Sequence, residues 1–309
     1  MHRLGRICAV AAFLAFLLGF PVLATAQDAA KLRNLLQSFT KPAPSSGPSA
    51  SSNSGNASQG GELLRLLNQS LEQIDEPKEI EIGRQLAAVL LGSKPLHPDM
   101  LLQRYVNQLG RWISLQSGRP GLPWTFAVLD DPGFNAFAAP GGYVFVTHGL
   151  IERVNDESEL AGILAHEINH VVGKHHLKAL RKTARAGLLT QAIGSQIGSS
   201  TADTLKAHML SMGREVYAKG LDQDDELEAD RNALSLAARA GFDPYGLVSV
   251  LQQLRSITPD NPAFALALST HPPTALRLES MEQAMGSKLD AFANKPSVSI
   301  AQRLTRLPR

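Results

Sequence analysis

Two histidines and a glutamate stand close enough in this sequence to act as one chemical unit. Residues 166–170 read His-Glu-Ile-Asn-His. On an α-helix, side chains four positions apart project from one face, so His166 and His170 can offer two imidazole nitrogens to one tetrahedral Zn²⁺. Glu167 lies beside that face. From there it can hold and deprotonate a water on the metal, whose pKa zinc lowers to about 7, producing a nucleophile for a peptide carbonyl. A helical wheel puts Leu160, Ile163, Leu164, Ile168 and Val171 on a broad apolar arc with both histidines on its shoulder. Such a helix is buried along one side and opens onto a cleft along the other. A chance match would fall more readily in a charged, polar stretch than in a capped apolar helix.

Two histidines and a water leave one zinc ligand missing. The candidate is in the acidic stretch 225–230, Asp-Glu-Leu-Glu-Ala-Asp. On a helix from 224 to 240, Glu226 and Asp230 share a face with Leu227, Leu234 and Ala237, whereas Glu228 sits among Arg231, Ser235 and Arg239. A carboxylate on a buried face is costly unless it is paired or metal-bound. Glu226 is therefore the expected third ligand and Asp230 the expected hydrogen-bonding partner of a zinc histidine, the competing reading being an ordinary salt bridge from Glu226 at a helix start. His175 and His176, extrapolated along the helix of His166, do not match its angle. They point to a structural or exposed role rather than to ligation.

The elements that must position these residues show in the hydrophobic periodicity. Apolar residues recur at helical spacing in 63–74 and 101–113, with Pro95 and Pro98 between them. The period then changes. Residues 124–130, 135–139 and 143–147 are short and rich in aromatic and β-branched types, separated by Asp-Pro-Gly and Pro-Gly-Gly, as in a small antiparallel meander. The 143–147 strand has the composition of a sheet edge, to which an extended substrate could add through backbone hydrogen bonds; equally, Phe145 and Val146 could be core. Helix resumes after Asp156, an N-cap with Glu159 as its capping-box partner. Residues 183–220 are helical in composition, with Gly194 and Gly198 in a weak GxxxG spacing too polar to cross a membrane. The 224–240 helix stops at Gly241 and hands over through Asp243-Pro244 to an apolar helix over 245–257. The expectation is an α+β domain over residues 62–290, mostly helical, with one small antiparallel sheet beside the His-Glu helix.

The flanks read differently. Arg3 and Arg6 precede an apolar run from Ile7 to Phe20, then Pro21 and Ala24-Thr25-Ala26, which reads as an export signal over residues 1–26. Left uncleaved, the same run would be a membrane anchor. Residues 27–61 contain a Ser, Pro, Gly and Asn-rich stretch that cannot offset its ordering entropy, and they read as a tether. Residues 291–309 read as a basic C-terminal tail. Cys8 is the only cysteine and lies within the export signal, so a periplasmic location is allowed without disulfides. With 30 basic and 28 acidic residues and a net charge of +2, the chain carries no basic block suited to nucleic acid.

Five strings occur in order: NAFAAPGGYVFVTHGLI, ELAGILAHEINHVVGKHH, ELEADRNAL, GFDP and THPPTALRL. Together they resemble the HtpX- and BepA-type relatives of the CAAX prenyl protease, a gluzincin family, over roughly residues 75–285. In layout the chain resembles the LoiP type, lacking after these strings a helical repeat region of the BepA kind and lacking the several apolar spans of the HtpX kind. The resemblance implies a zincin-like fold, one Zn²⁺ on His166, His170 and Glu226, and Glu167 as the base. It also matches His271 to a histidine that approaches the metal and Arg277 to a neighbouring functional arginine. His271 would either stabilise an oxyanion or fill the open zinc position, unless it is simply a buried histidine at a helix cap. The implied function is endoproteolysis of unfolded or misassembled envelope proteins in the periplasm, with outer-membrane association open. The rival is a zinc-stabilised chaperone or binding module whose site is kept latent by His271.

Overall fold

Aspartates start the first two helices and prolines part them. The computed structural model describes residues 74–191, 211, 213, 215–258 and 261–306. The expected export signal, the tether, nearly all of the 63–74 pattern and the Gly194/Gly198 spacing lie outside these. Helix α1, Glu76–Ser93, begins where Asp75 Oδ1 accepts the Lys78 N–H at 3.1 Å. Helix α2, Met100–Ser114, begins where Asp99 Oδ1 accepts the N–H groups of Leu101 and Leu102 at 2.8 and 3.1 Å. Each cap satisfies donors that a helix start leaves unpaired. Pro95 and Pro98 occupy the gap between them.

The sheet is small and mixed, which corrects the expected antiparallel meander. Strands β1, Thr125–Leu129, β2, Ala136–Ala139, and β3, Tyr143–Thr147, lie in the order β1-β3-β2. The tight turn through Gly141 (φ 77°) and Gly142 (φ 101°) makes β2 and β3 antiparallel, pairing Ala139 with Tyr143. β1 instead runs parallel to β3, Thr125 opposite Tyr143 and Leu129 opposite Thr147. The Asp131-Pro132-Gly133 segment does not close a hairpin. Gly133 N–H is held by the Asp131 side chain and Phe134 N–H by the Ala263 carbonyl, so the chain crosses to the far side of β3 before pairing. β3 is therefore the central strand rather than the edge, and all five of its residues are buried, as are all five of β1. Unbroken apolar runs are what strands covered on both faces require.

The outer edge of β1 is closed by α2. Gln103 Oε1 accepts the Val128 N–H at 2.9 Å while its Nε2 donates to Val128 O at 2.8 Å, and Asn107 Oδ1 accepts the Phe126 N–H at 3.0 Å. β2 is thus the edge left for other partners.

Short α3, His148–Ile151, leads to α4, Glu157–Val172, which is buried along nearly its whole length. Asp156 Oδ1 caps it through the N–H groups of Ser158 and Glu159, and Glu159 reaches back one residue further than a capping box, to the Asn155 N–H at 2.7 Å. Gly173 and Lys174 (φ 56°) break the helix before α5, His175–Gln191. Helix α6, Gln223–Ala240, ends on Gly241 (φ 95°), a left-handed stop that glycine adopts without strain. Then come α7, Gly246–Arg255, α8, Ala265–Thr270, α9, Thr274–Met285, and α10, Ile300–Thr305. α4 packs against α6, α7, α2 and β2. The segment read as a basic tail is tied to this body: Ile300 is buried, Glu157 N–H donates to Val298 O, and Arg303 grips the Glu157 carboxylate at 2.9 and 2.5 Å. No helix among the described residues is long and apolar enough to cross a membrane.

The crossing of α4 and α7 depends on two glycines. A Cβ on Gly246 would lie 2.1 Å from Ser158 O, and one on Gly162 would lie 2.5 Å from Leu247 N, both against backbone that cannot swing aside. We expect Gly246→Ala to lower stability by about 1–3 kcal/mol through overpacking. Gly92→Ala, at an exposed helical site with nothing within 4 Å, should be neutral or stabilising by up to about 1 kcal/mol. Urea unfolding of both variants checks this, and a Gly246→Ala midpoint equal to wild type would show the helices have room to spare.

Candidate metal centre

Packing α4 on α6 sets His166 and His170 against Glu226 and Asp230, all four at most 3% exposed. His166 Nε2 and His170 Nε2 are 2.9 Å apart, and they lie 3.6 and 3.5 Å from the two oxygens of Glu226. Zinc bonds of about 2.0–2.1 Å put the ligand atoms of a tetrahedral site about 3.3–3.4 Å apart, close to these separations. Glu226 Oε2 is buried with no hydrogen-bond partner. An orphaned carboxylate oxygen facing two ring nitrogens fits a divalent cation with nitrogen and oxygen ligands. His166, His170 and Glu226 can therefore hold one zinc ion, and the structure brings together the three ligands expected.

Asp230 lies behind His166, with Oδ1 2.9 Å from His166 Nδ1. Its other contacts come from Arg277, whose Nε and Nη2 donate to Oδ2 and Oδ1 at 2.8 and 2.6 Å. Burial pushes the Asp230 pKa up, but the Arg277 guanidinium outweighs it and holds the carboxyl well below its usual range. Burial opposes the charge on Glu226 too, and His271, His166 and Arg277 overcome it, leaving a pKa of about 2. Desolvation would lower His166, but the Asp230 and Glu226 carboxylates lift it to about 9. A proton on His166 thus answers the negative charge where a metal would do the same. Arg277 is buried against Asp230 and works behind the histidine rather than in the cleft.

A cleft of about 410 Å³ opens in front, lined by Glu167, His170, Glu226, His271, Tyr217 and the β2 residues 136–138. Burial pushes the Glu167 carboxyl up to about 7, suiting it to exchange a proton near neutrality. His271 Nε2 lies 3.6 Å from Glu226 Oε2, and its Nδ1 lies 3.1 Å from Ala267 O. A carbonyl only accepts, so Nδ1 carries the proton and Nε2 presents a lone pair toward the metal position. Tyr217 was absent from the expected site. Its hydroxyl donates to Ala138 O on β2 at 2.7 Å, and its ring packs 5.2 Å from the His176 ring.

His175 and His176 are both buried, at 1% and 7% exposure. His175 lies outside the His166, His170 and Glu226 set, and its Nδ1 is 2.9 Å from His170 Nδ1. The wheel missed this because it ran one helix through 166–176, and the Gly173-Lys174 break turns His175 back over the end of α4. Gly173 was the available signal.

The profile of peptidase family M48 matches residues 100–285. Among curated relatives, the beta-barrel assembly-enhancing protease of Escherichia coli K12 is 32% identical over 182 residues, covering 57% of this chain and 37% of that protein. The mitochondrial metalloendopeptidase OMA1 of Schizosaccharomyces pombe is 29% identical over 187 residues, 60% of this chain and 53% of that protein. The metalloprotease YcaL of Escherichia coli K12 is 26% identical over 220 residues, 68% and 76% of the two chains. The match thus spans well under half the length of the assembly-enhancing protease and about half that of OMA1.

Two substitutions behind the histidines separate orientation from stability. Asp230→Asn should weaken zinc binding about 10–100-fold, read by competition with a chelating dye. Arg277→Met should destabilise the metal-free protein by about 3–5 kcal/mol, since it leaves the Asp230 charge buried without its cation. Urea unfolding of the metal-free variant measures that loss, and an unchanged midpoint would mean Asp230 is compensated elsewhere.

Proposed function

Because the chain belongs to peptidase family M48, we propose that it is a zinc-dependent endopeptidase with His166, His170 and Glu226 as ligands and Glu167 as general base. The observation that carries the reading is the buried Glu226 oxygen with no hydrogen-bond partner, facing two imidazole nitrogens beside a carboxyl lifted to about 7. Zinc bound there supplies a Lewis acid that acidifies water and polarises a carbonyl. Glu167 takes the proton of the attacking water and returns it to the leaving amine, a role its position in the cleft supports. Asp230 and Arg277 hold His166 in place.

The substrate adds to β2, the edge strand along the cleft. Main-chain pairing is tolerant of sequence, which supports unfolded or misassembled proteins as substrates. One relative is named for beta-barrel assembly. With the expected export signal, that name supports a periplasmic enzyme acting on misassembled envelope proteins and associated with the outer membrane, or membrane-anchored if the signal is not cleaved.

The same cleft supports a latent state. His271 presents Nε2 as a fourth donor to the metal position, which favours self-inhibition over oxyanion binding, since a bare lone pair cannot donate to an oxyanion. Tyr217 occupies the Ala138 carbonyl that an added strand would use. A binding module closed in this way is the second reading, and catalysis separates the two.

Glu167→Gln should retain one zinc per chain and lose about 10²–10⁴-fold in hydrolysis of unfolded casein. Unaltered hydrolysis would remove Glu167 from the mechanism; zinc without hydrolysis in every variant would favour the binding module. His271→Ala and Tyr217→Phe should each raise casein hydrolysis several-fold at unchanged zinc content. Slower hydrolysis in both would mean that these groups assist the reaction rather than block it.

A further inference from the structure

Both metal histidines need a fixed tautomer, and only His166 has an evident source for it. A histidine that ligates through Nε2 carries its proton on Nδ1 and must donate it. For His166 the carboxylate at hand is Asp230, whose Oδ1 lies 2.9 Å from Nδ1. For His170 the nearest partner is another imidazole, His175, with the two Nδ1 atoms 2.9 Å apart. One of two neutral rings facing in this way must donate and the other accept. If His170 donates, His175 accepts on Nδ1 and carries its own proton on Nε2. That nitrogen is buried, has no hydrogen-bond partner, and lies 3.7 Å from Asp225 Oδ1. The separation is too long for a direct hydrogen bond, but a negative charge there favours the proton on the near nitrogen.

The backbone is built to bring the ring there. Lys174 takes φ 56°, uncommon for a non-glycine residue, and so ends α4 and turns His175 back toward His170. Gly173 leaves room for the ring: a Cβ there would lie 2.2 Å from His175 Nε2, and the nearest atoms it meets all belong to His175. At φ −74° Gly173 has a conformation that any residue adopts, so the need for glycine comes from the imidazole. Asp225 is the residue before the ligand Glu226, and Lys178 holds its Oδ1 at 2.9 Å.

Resting on the zinc-binding reading above, we propose that His175 is a positioning residue. Its Nδ1 accepts the Nδ1 proton of His170 and holds that ring in the tautomer that offers Nε2 to the metal, while Asp225 fixes the proton of His175 on Nε2. The ligand helix α6 thus supplies a carboxylate behind each histidine, Asp230 directly and Asp225 through His175.

The test is zinc affinity of the untagged full chain, by chelator competition, for wild type, His175→Phe, His175→Gln and Gly173→Ala. His175→Phe removes the acceptor and Gly173→Ala displaces the ring, so both should weaken zinc about 10–100-fold. His175→Gln keeps an acceptor oxygen and should return affinity to within a few-fold of wild type. Wild-type affinity in His175→Phe would overturn the proposal and leave the zinc site standing, whereas no zinc in wild type would sink both. Equal weakening in the Gln and Phe variants would reduce His175 to packing. A second zinc equivalent in wild type, lost in His175→Phe, would make it a ligand instead. Should His175→Phe not fold, the ¹⁵N ring shifts of zinc-loaded wild type decide. A protonated Nε2 and a bare Nδ1 on His175 support the proposal, and the opposite tautomer overturns it.

Discussion

Two carboxylates one helical turn apart, Glu226 and Asp230, are buried on α6 at 1% and 0% exposure, and the arrangement of the cleft follows from what their charges require. The effective penalty for burying one unpaired ion is several kcal/mol. The two are compensated differently. Asp230 receives a permanent guanidinium in a two-bond grip from Arg277, together with His166. Glu226 has imidazoles against it, with the Arg277 charge acting from behind Asp230, and it keeps one oxygen without a hydrogen bond. One charge is neutralised by the fold, and the other keeps an oxygen where a cation would fit. The Arg277 grip also pins the start of α9, and through the stiff Pro272-Pro273 link it places His271 over the metal position. A contact made for electrostatic reasons behind the site thereby fixes what stands in front of it.

What was legible in the sequence was local. The His166/His170 pair and the choice of Glu226 over Glu228 follow from helical period and the rarity of buried carboxylates, and the exposed Glu228 bears out the same wheel. Helix limits at Asp156 and Gly241 follow from capping chemistry that acts within a few residues, whereas the caps at Asp75 and Asp99 were not read. Strand order was not legible, because it depends on where the Asp131-Pro132-Gly133 segment crosses, and that is set by a contact with Ala263 far along the chain. The unbroken apolar runs of β1 and β3 did carry a hint, since a half-exposed meander would alternate. Arg277 came only from resemblance, because a single arginine on a helix has no period to betray its partner. His175 was misplaced by carrying one helical wheel across a glycine that ends the helix.

The two edges of the sheet are finished in opposite ways, and this bears on the proposed addition of a substrate to β2. Gln103 and Asn107, fixed on α2, satisfy β1 from within the core. The β2 edge is held instead by Tyr217, on a segment that packs over the cleft. That segment touches the other covering element directly. Gly220 (φ 79°) backs onto Thr270 so closely that a Cβ would lie 1.9 Å from its carbonyl oxygen, and Thr270 is the residue before His271. Tyr217 on the strand edge and His271 at the metal position therefore sit on two segments in backbone contact, and a displacement of either must pass to the other or break that contact. An extended chain pairing with β2, as proposed, would compete with the Tyr217 hydroxyl first. On the proposed reading, displacement of that segment would bear on Thr270 and hence on His271, since the hydroxyl on the strand edge is mechanically joined to the imidazole facing the metal position.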